Sequence, residues 1–179
     1  DRTFNYNPRR AKELLRLFLE FSPDICFHLE IHPALLSEEL KKELRQLPAG
    51  LLHLEAGIQS LREPVLEKSQ RIGKLSDALE GLKFLCSLSN METHADLIAG
   101  LPLYRLDEIF EDIYTLAGYR AGEIQLESLK LLPGTEMRHR ADELGIRYSP
   151  LPPYEVLQTG EISVGELQTA RRLSRLLDA

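Results

Sequence analysis

The fold is decided by the stretch Leu52-His53-Leu54-Glu55-Ala56-Gly57-Ile58-Gln59, in which apolar and polar or glycine positions alternate. The same alternation occurs in Phe27-His28-Leu29-Glu30-Ile31-His32 and in His94-Ala95-Asp96-Leu97-Ile98-Ala99-Gly100. A period of two places successive side chains on opposite faces of a β-strand. Helix-like segments separate the three stretches, which predicts a βαβ series and therefore parallel strands.

One face of each predicted strand bears His, Glu or Asp. Parallel strands that helices cover on both faces are normally almost entirely apolar, and buried ionisable groups are costly unless they are paired or solvated. We therefore predict a curved sheet with helices outside and a wet, ligand-holding concave face inside. The predicted fold is α/β, a partial (β/α)6 TIM-like barrel of parallel strands with outer helices, whose N-terminal strand or strands are missing from the chain.

Hydrophobic periodicity and the positions of Gly and Pro predict the remaining elements. The predicted strands span residues 25–31, 51–58, 93–99 and 123–131, and the predicted helices span residues 11–20, 37–47, 76–87, 107–117, 136–144 and 165–177. Residues 1–5 are expected to end a strand, and residues 154–159 to form a short helix or an extended segment. Residues 1–145 are predicted to form the partial barrel, and residues 146–179 a C-terminal extension with a terminal helix.

Composition narrows the function classes. The net charge of −6 argues against a nucleic-acid-binding surface, and no apolar run approaches the roughly 20 residues that span a membrane. The two cysteines, Cys26 and Cys86, are predicted to be buried thiols rather than a disulfide, which suggests a reducing, cytoplasmic location. Two cysteines cannot make a four-cysteine metal site.

The ends of the strands carry a more specific signal, because active sites of βα barrels lie at the C-terminal ends of their strands. These ends read Gly57-Ile58-Gln59-Ser60, then Asp96-Leu97-Ile98-Ala99-Gly100-Leu101-Pro102, then Leu132-Pro133-Gly134-Thr135. In this order they resemble the radical S-adenosylmethionine (SAM) superfamily, in particular its methylthiotransferase-like and cobalamin-associated branch. Asp1-Arg2-Thr3-Phe4-Asn5 resembles the polar strand end that lies near the methionine moiety in that superfamily.

The resemblance implies roles for particular residues. Gly57, Gln59 and Ser60 would contact ribose or methionine, and Arg71 the SAM carboxylate. The residues that would border adenine are Ile98, Gly100, Leu132 and Pro133. The polar residues expected to face the substrate or its immediate surroundings are His28, Glu30, Glu55, His94 and Asp96.

The sequence departs from the superfamily in one respect, since it has no Cys-x3-Cys-x2-Cys loop. That loop holds a [4Fe–4S] cluster whose open iron binds SAM. The resemblance therefore implies a cluster held by residues outside this chain, and its cobalamin-associated branch implies cobalamin held by a further domain. The expected function is part of an iron–sulfur enzyme that cleaves SAM to a 5′-deoxyadenosyl radical, with this chain inactive alone.

Other interpretations remain open from the residues themselves. The histidines fit no standard zinc spacing, so we predict polar residues of the concave face and no metal ligand. Glu30, Glu55 and Asp96 could act as acid–base pairs, which would suit a cofactor-free TIM-barrel lyase or aldolase, or they could be structural carboxylates. A non-enzymatic binding scaffold is a third class. An exposed barrel edge also predicts self-association, or shielding of the edge by the C-terminal segment.

Overall fold

The computed structural model describes residues 3–21 and 25–177 of the chain. Four parallel strands form one sheet in the order β1-β2-β3-β4, namely β1 (Phe27–Ile31), β2 (Leu52–Gln59), β3 (Glu92–Ala99) and β4 (Glu123–Ser128). The helices are α1 (Pro8–Phe18), α2 (Glu38–Gln46), α3 (Glu63–Lys68), α4 (Leu75–Cys86), α5 (Leu106–Ala117), α6 (Glu136–His139) and α7 (Val164–Leu177). A short antiparallel pair consists of β5 (Arg147–Tyr148) and β6 (Val156–Gln158). The predicted α/β class is confirmed.

The alternation along β2 is confirmed. Leu52, Leu54, Ala56 and Ile58 are buried, whereas His53, Glu55, Gly57 and Gln59 are half-buried. β1 pairs with β2 in parallel register, so that His28 lies beside His53 and Glu30 beside Glu55. β1 ends the strand order and therefore lies at an edge of the described sheet. Whether this edge self-associates stays a prediction, which sedimentation velocity of the chain can test.

The described residues form two compact units. The first comprises residues up to Ile58, with Gly73–Ala95 and Leu116–Glu123. The second comprises Gln59–Ile72, Asp96–Thr115 and the residues from Ile124 onward. The predicted division at residue 145 stays a prediction. No helix within residues 3–21 and 25–177 is long and apolar enough to cross a membrane.

Caps and close packing define the helices of the first unit. The side chain of Asn7 accepts a hydrogen bond from the backbone N–H of Arg10 and begins α1, and Ser37 begins α2 in the same way through Leu40. In α4, a Cβ at position 81 would lie 2.2 Å from the carbonyl oxygen of Pro33. Only glycine allows the helix to approach that turn so closely.

The C-terminal half of the second unit differs from the prediction. The fourth strand ends at Ser128 rather than at residue 131. The N–H of Leu129 still donates to the carbonyl of Ala99 in β3, but its carbonyl accepts from the N–H of Val156, and the N–H of Leu131 donates to the carbonyl of Tyr154. The chain therefore leaves the sheet and pairs with the segment that contains β6. Residues 154–159 thus include a strand. The predicted helix 136–144 is helical only to His139, since the turns beyond it mix hydrogen bonds of two spacings.

Two predictions for individual residues are wrong. Cys26 is exposed and only Cys86 is partly buried, although both thiols are free as predicted. Cys26 immediately precedes β1, so the strand ladder does not enclose it. The apolar residues of α5 predict a buried stripe that includes Phe110, and Phe110 is 45% exposed.

Within the described part of the N-terminal segment, residues 3–5 do not end a strand. Phe4–Tyr6 forms a 3₁₀ turn, and Asp1 and Arg2 lie outside the described residues. The carboxamide of Asn5 is buried and forms two hydrogen bonds with the backbone of His32, donating to its carbonyl at 2.9 Å and accepting from its N–H at 2.8 Å. One side chain thus satisfies the backbone groups that follow β1.

We expect Asn5→Ala to lower the free energy of unfolding by about 1–3 kcal/mol, because it leaves a buried N–H and a buried carbonyl without partners. Urea denaturation followed by circular dichroism measures the change. The control is Gln46→Ala on the exposed end of α2, for which a change within about 0.5 kcal/mol is expected. Equal effects of the two substitutions would contradict this role of Asn5.

Candidate functional site

In the first unit, a row of three imidazoles lies across β1, β2 and β3. The rings of His28 and His53 stack with centroids 4.5 Å apart and an interplanar angle of 7°. The ring of His94 meets His53 edge-on at 4.0 Å. Carboxylates flank this histidine row: Glu92 lies 3.5 Å from His53 Nδ1 and Glu123 lies 3.3 Å from His94 Nε2.

The environment of His53 favours its neutral form. Burial lowers the pKa of His53 below its ordinary value, and positive charge on His94 or His28 lowers it further, whereas Glu92 and Glu55 act in the opposite direction. Its Nε2 atom is buried and has no hydrogen-bond partner among the described residues. A cavity of about 360 Å³ adjoins His53 and Glu92 at the start of β2 and β3. Within the described part of the chain, no group of three or more His, Cys, Asp or Glu side chains could hold a metal ion.

The second unit is organised around a buried carboxylate, that of Asp112 on α5, which is 1% exposed. It accepts hydrogen bonds from the backbone N–H of Leu61 at 2.7 Å and from the hydroxyl of Tyr104 at 2.6 Å. It also accepts from Arg62 Nε at 2.9 Å and from the hydroxyl of Ser60 at 3.3 Å. We call these five residues the Asp112 network.

The Asp112 network fixes the segments that follow β2 and β3. Ser60 and Arg62 follow Gln59, whose φ of 75° turns the backbone sharply at the strand end. Tyr104 ends the loop that follows Gly100, and in that loop the N–H of Leu103 donates to the carboxylate of Glu161 at 3.1 Å. Burial, and then the hydrogen bond with Asp112, raise the pKa of Tyr104, so that its hydroxyl keeps its proton and remains a donor.

Gly100 is required by its backbone and by packing. Its φ is 91°, a left-handed conformation that favours glycine, and a Cβ there would lie 3.3 Å from Val156 Cγ1. These two constraints account for a glycine at position 100, and no ligand is needed to explain it. Within the described chain, the backbone at Gly100 closely approaches β6.

The predicted site residues differ in accessibility. In the first unit, His28 and Glu30 are exposed, and Glu55, Gly57 and His94 are half-buried. In the second unit, Gln59, Arg71, Asp96 and Ile98 are half-buried, and Leu132 and Pro133 are exposed. Ser60 and Gly100 are buried. The hydroxyl of Ser60 bonds Asp112 and accepts from the N–H of Arg62, so the structure gives it a partner other than the predicted ribose or methionine.

The sequence motifs do not single out three residues of the Asp112 network, namely Asp112, Tyr104 and Arg62. A signal for Asp112 existed, because it lies three residues after Ile109 and four before Leu116, and both of these are fully buried on α5. A carboxylate in that stripe must face the core.

Comparison with solved structures identifies the fold. The radical SAM methyltransferase TsrM from Kitasatospora setae, solved with cobalamin and a [4Fe–4S] cluster bound, matches 86% of this chain with a TM-score of 0.66, at 18% identity and over 33% of its own chain. Coproporphyrinogen III oxidase (HemN) from Escherichia coli, a radical SAM enzyme, matches 79% of this chain with a TM-score of 0.58, at 16% identity and over 38% of its own chain. The chain has the fold that these radical SAM enzymes share. The predicted fold, a partial TIM-like barrel of parallel strands with outer helices, is thereby confirmed.

A comparison with curated sequences also finds a similar protein. The heme chaperone HemW of Haemophilus influenzae is 27% identical over 129 residues, which cover 70% of this chain and 32% of that protein. No model of a known protein family matches the chain. The chain spans about a third of the length of these similar proteins.

We expect Asp112→Ala to lower the free energy of unfolding by about 3–5 kcal/mol, because it leaves Arg62 and three further donors without their buried acceptor. Tyr104→Phe removes one of these donors and should cost about 1–2 kcal/mol. Asp107→Ala, at an exposed position of the same helix, is the control and should change stability by no more than about 1 kcal/mol. Chemical denaturation of the three variants ranks them, and a ranking with Asp107 first would be incompatible with the network.

We also expect the stability to fall as the pH falls below 6.5, the ordinary pKa of histidine. Because the pKa of His53 is lower in the folded protein, the unfolded chain binds more protons between the two values, and unfolding becomes easier there. His53→Gln should flatten the pH dependence immediately below pH 6.5. His139→Gln, on the exposed face of α6, should leave the slope unchanged. A slope that is indifferent to His53 would exclude it as the titrating group.

Proposed function

We propose that this chain supplies the SAM-facing and substrate-facing strands of a radical SAM iron–sulfur enzyme. The observation that carries the proposal is a half-buried polar face on β2, ending in Gly57 and Gln59, within the radical SAM fold. A polar strand face that is only partly buried needs a polar occupant or solvent, and a nucleoside with an amino-acid tail is such an occupant. Fold alone does not define chemistry, so these strand ends are the basis of the proposal.

The side chains of the chain fit SAM in part. Gln59 offers an amide that can donate to and accept from ribose hydroxyls, and Arg71 offers a guanidinium for a carboxylate. Gly57, Ile98, Gly100, Leu132 and Pro133 are proposed to line the ribose and adenine. We propose a role for Ser60 other than the SAM contact expected from the sequence. Its hydroxyl bonds Asp112 and holds the strand end, and Gln59 contacts the ligand instead.

The chain does not fit the iron–sulfur cluster. A SAM-binding [4Fe–4S] cluster requires three thiolates, and the 179 residues contain two cysteines, Cys26 and Cys86. Cluster ligands would come from residues outside this sequence. When bound together, cluster and SAM supply the one-electron cleavage that yields a 5′-deoxyadenosyl radical. Cobalamin is a further proposal, based on the cobalamin in one of the similar structures.

The polar residues of the first unit are proposed to serve the substrate side. His28 and Glu30 are exposed, and Glu55 and His94 are half-buried, so their polar atoms can be reached from solvent. Asp96, in the second unit, is half-buried and is proposed for the same role. The substrate itself is not specified by these side chains.

The test is SAM binding by a longer form of the protein that carries a Cys-x3-Cys-x2-Cys loop. We expect Gln59→Ala and Arg71→Ala each to weaken SAM binding by about 1–3 kcal/mol in isothermal titration, because a buried polar partner is left unpaired. The 179-residue chain should show no iron–sulfur absorption after anaerobic reconstitution.

The matched control is Gln168→Ala on the exposed face of α7, which should leave SAM affinity unchanged. If the longer protein holds no cluster, or if SAM affinity is indifferent to Gln59 and Arg71, the radical SAM proposal fails. The lyase interpretation, which uses the strand carboxylates, would then be favoured.

A further inference from the structure

A second polar cavity lies within the second unit, between the end of β4 and helix α7. Its volume is about 210 Å³, and Lys130, Arg171 and Arg175 line it together with Glu127 and Glu155. The hydroxyl-bearing residues Ser128 and Ser174 complete the polar lining. The proposed SAM contacts include none of these residues, so the cavity requires a separate explanation.

Arg171 presents a donor that the protein leaves unused. Its Nη2 atom forms an ion pair with Glu155 at 2.9 Å. Its Nε atom is buried and has no hydrogen-bond partner among the described residues. Leaving a charged donor buried without an acceptor is costly, so an acceptor oxygen from outside the protein is expected there.

The charges of the cavity leave one cation in excess. Lys130 pairs with Glu127 at 3.4 Å, and Arg171 pairs with Glu155. Arg175 forms no ion pair within residues 3–21 and 25–177. This local excess of positive charge occurs in a chain whose net charge is −6. The cavity therefore favours an anion, although the protein as a whole carries a negative net charge.

We propose that this cavity binds a tetrahedral oxyanion, namely inorganic phosphate or the phosphate group of a small phosphomonoester. A phosphate offers several acceptor oxygens and suits the forked guanidinium groups of Arg171 and Arg175. The Ser128 and Ser174 hydroxyls can donate to the remaining oxygens. We favour phosphate over a carboxylate because its additional oxygens provide acceptors for both guanidinium groups and both hydroxyl groups.

The experiment titrates inorganic phosphate into the 179-residue chain by isothermal calorimetry, with sodium chloride holding the ionic strength constant. We expect a single saturable site. Arg175→Ala should raise the dissociation constant about tenfold, the loss expected for one charge-assisted contact. Arg175 is the decisive variant because it forms no ion pair in the described chain, so its removal should leave the fold intact.

Arg172→Ala is the matched control, since Arg172 is exposed, adjacent on the same helix and outside the cavity lining. It should leave phosphate affinity unchanged. Glycerol phosphate, titrated in parallel, distinguishes the two sources, because tighter binding than that of free phosphate indicates a phosphomonoester. Absence of saturable binding would mean that solvent fills the cavity, and an equal loss in the two arginine variants would mean a general charge effect. Either result would overturn the proposal.

Discussion

The burial of one negative charge constrains much of the second unit. A carboxylate that is almost completely removed from water must be surrounded by donors, and Asp112 obtains them from the segment after β2 and from the loop after β3. These segments are about fifty and eight residues away from it in sequence. Their positions are therefore set by an electrostatic requirement in addition to apolar packing. Helix α5 acts as the element on which the two loops are assembled.

The strands were predictable from the sequence because their signal is local. Burial alternates along β2 with the period of its side chains, and the parallel pairing with β1 follows from the intervening helix. The order of the strands in the sheet is their order in the sequence, and it follows likewise from the helices that connect them. Less local features were not predictable. The sequence does not show that Leu129 bonds Ala99 through its N–H and Val156 through its carbonyl, because the second bond depends on a partner 27 residues later.

The error at Phe110 has the same origin. Helical periodicity alone admits both Phe110 and Asp112 beside Ile109, and hydrophobicity favours the phenylalanine. The structure takes the other option, since Phe110 is 45% exposed and Asp112 is 1% exposed. The carboxylate can be buried because four donors reach it, and three of them come from residues 60–62. The sequence of α5 alone therefore cannot show that Asp112 is buried. A polar residue at a core position of a helix is thus better treated as a prediction of distant donors than as a break in the pattern.

Some residues of the segments that resemble ligand-binding motifs are explained by local structure alone. The structure shows which residues these are. Gly100 and Ser60 belong to segments that resemble ligand-binding strand ends, yet Gly100 is explained by its φ and by Val156, and Ser60 by Asp112. Gln59 differs from these two residues, because it adopts a left-handed φ of 75° without the freedom of glycine. Such a conformation costs of order 1–3 kcal/mol and persists where the surrounding structure imposes it, often at functional sites. The hydrogen bonds that hold Leu61 and Arg62 immediately after Gln59 supply that constraint. Under the proposed SAM-binding role of Gln59, the Asp112 network would act on the ligand without touching it, by keeping the backbone of Gln59 in a conformation that an unconstrained chain would rarely adopt.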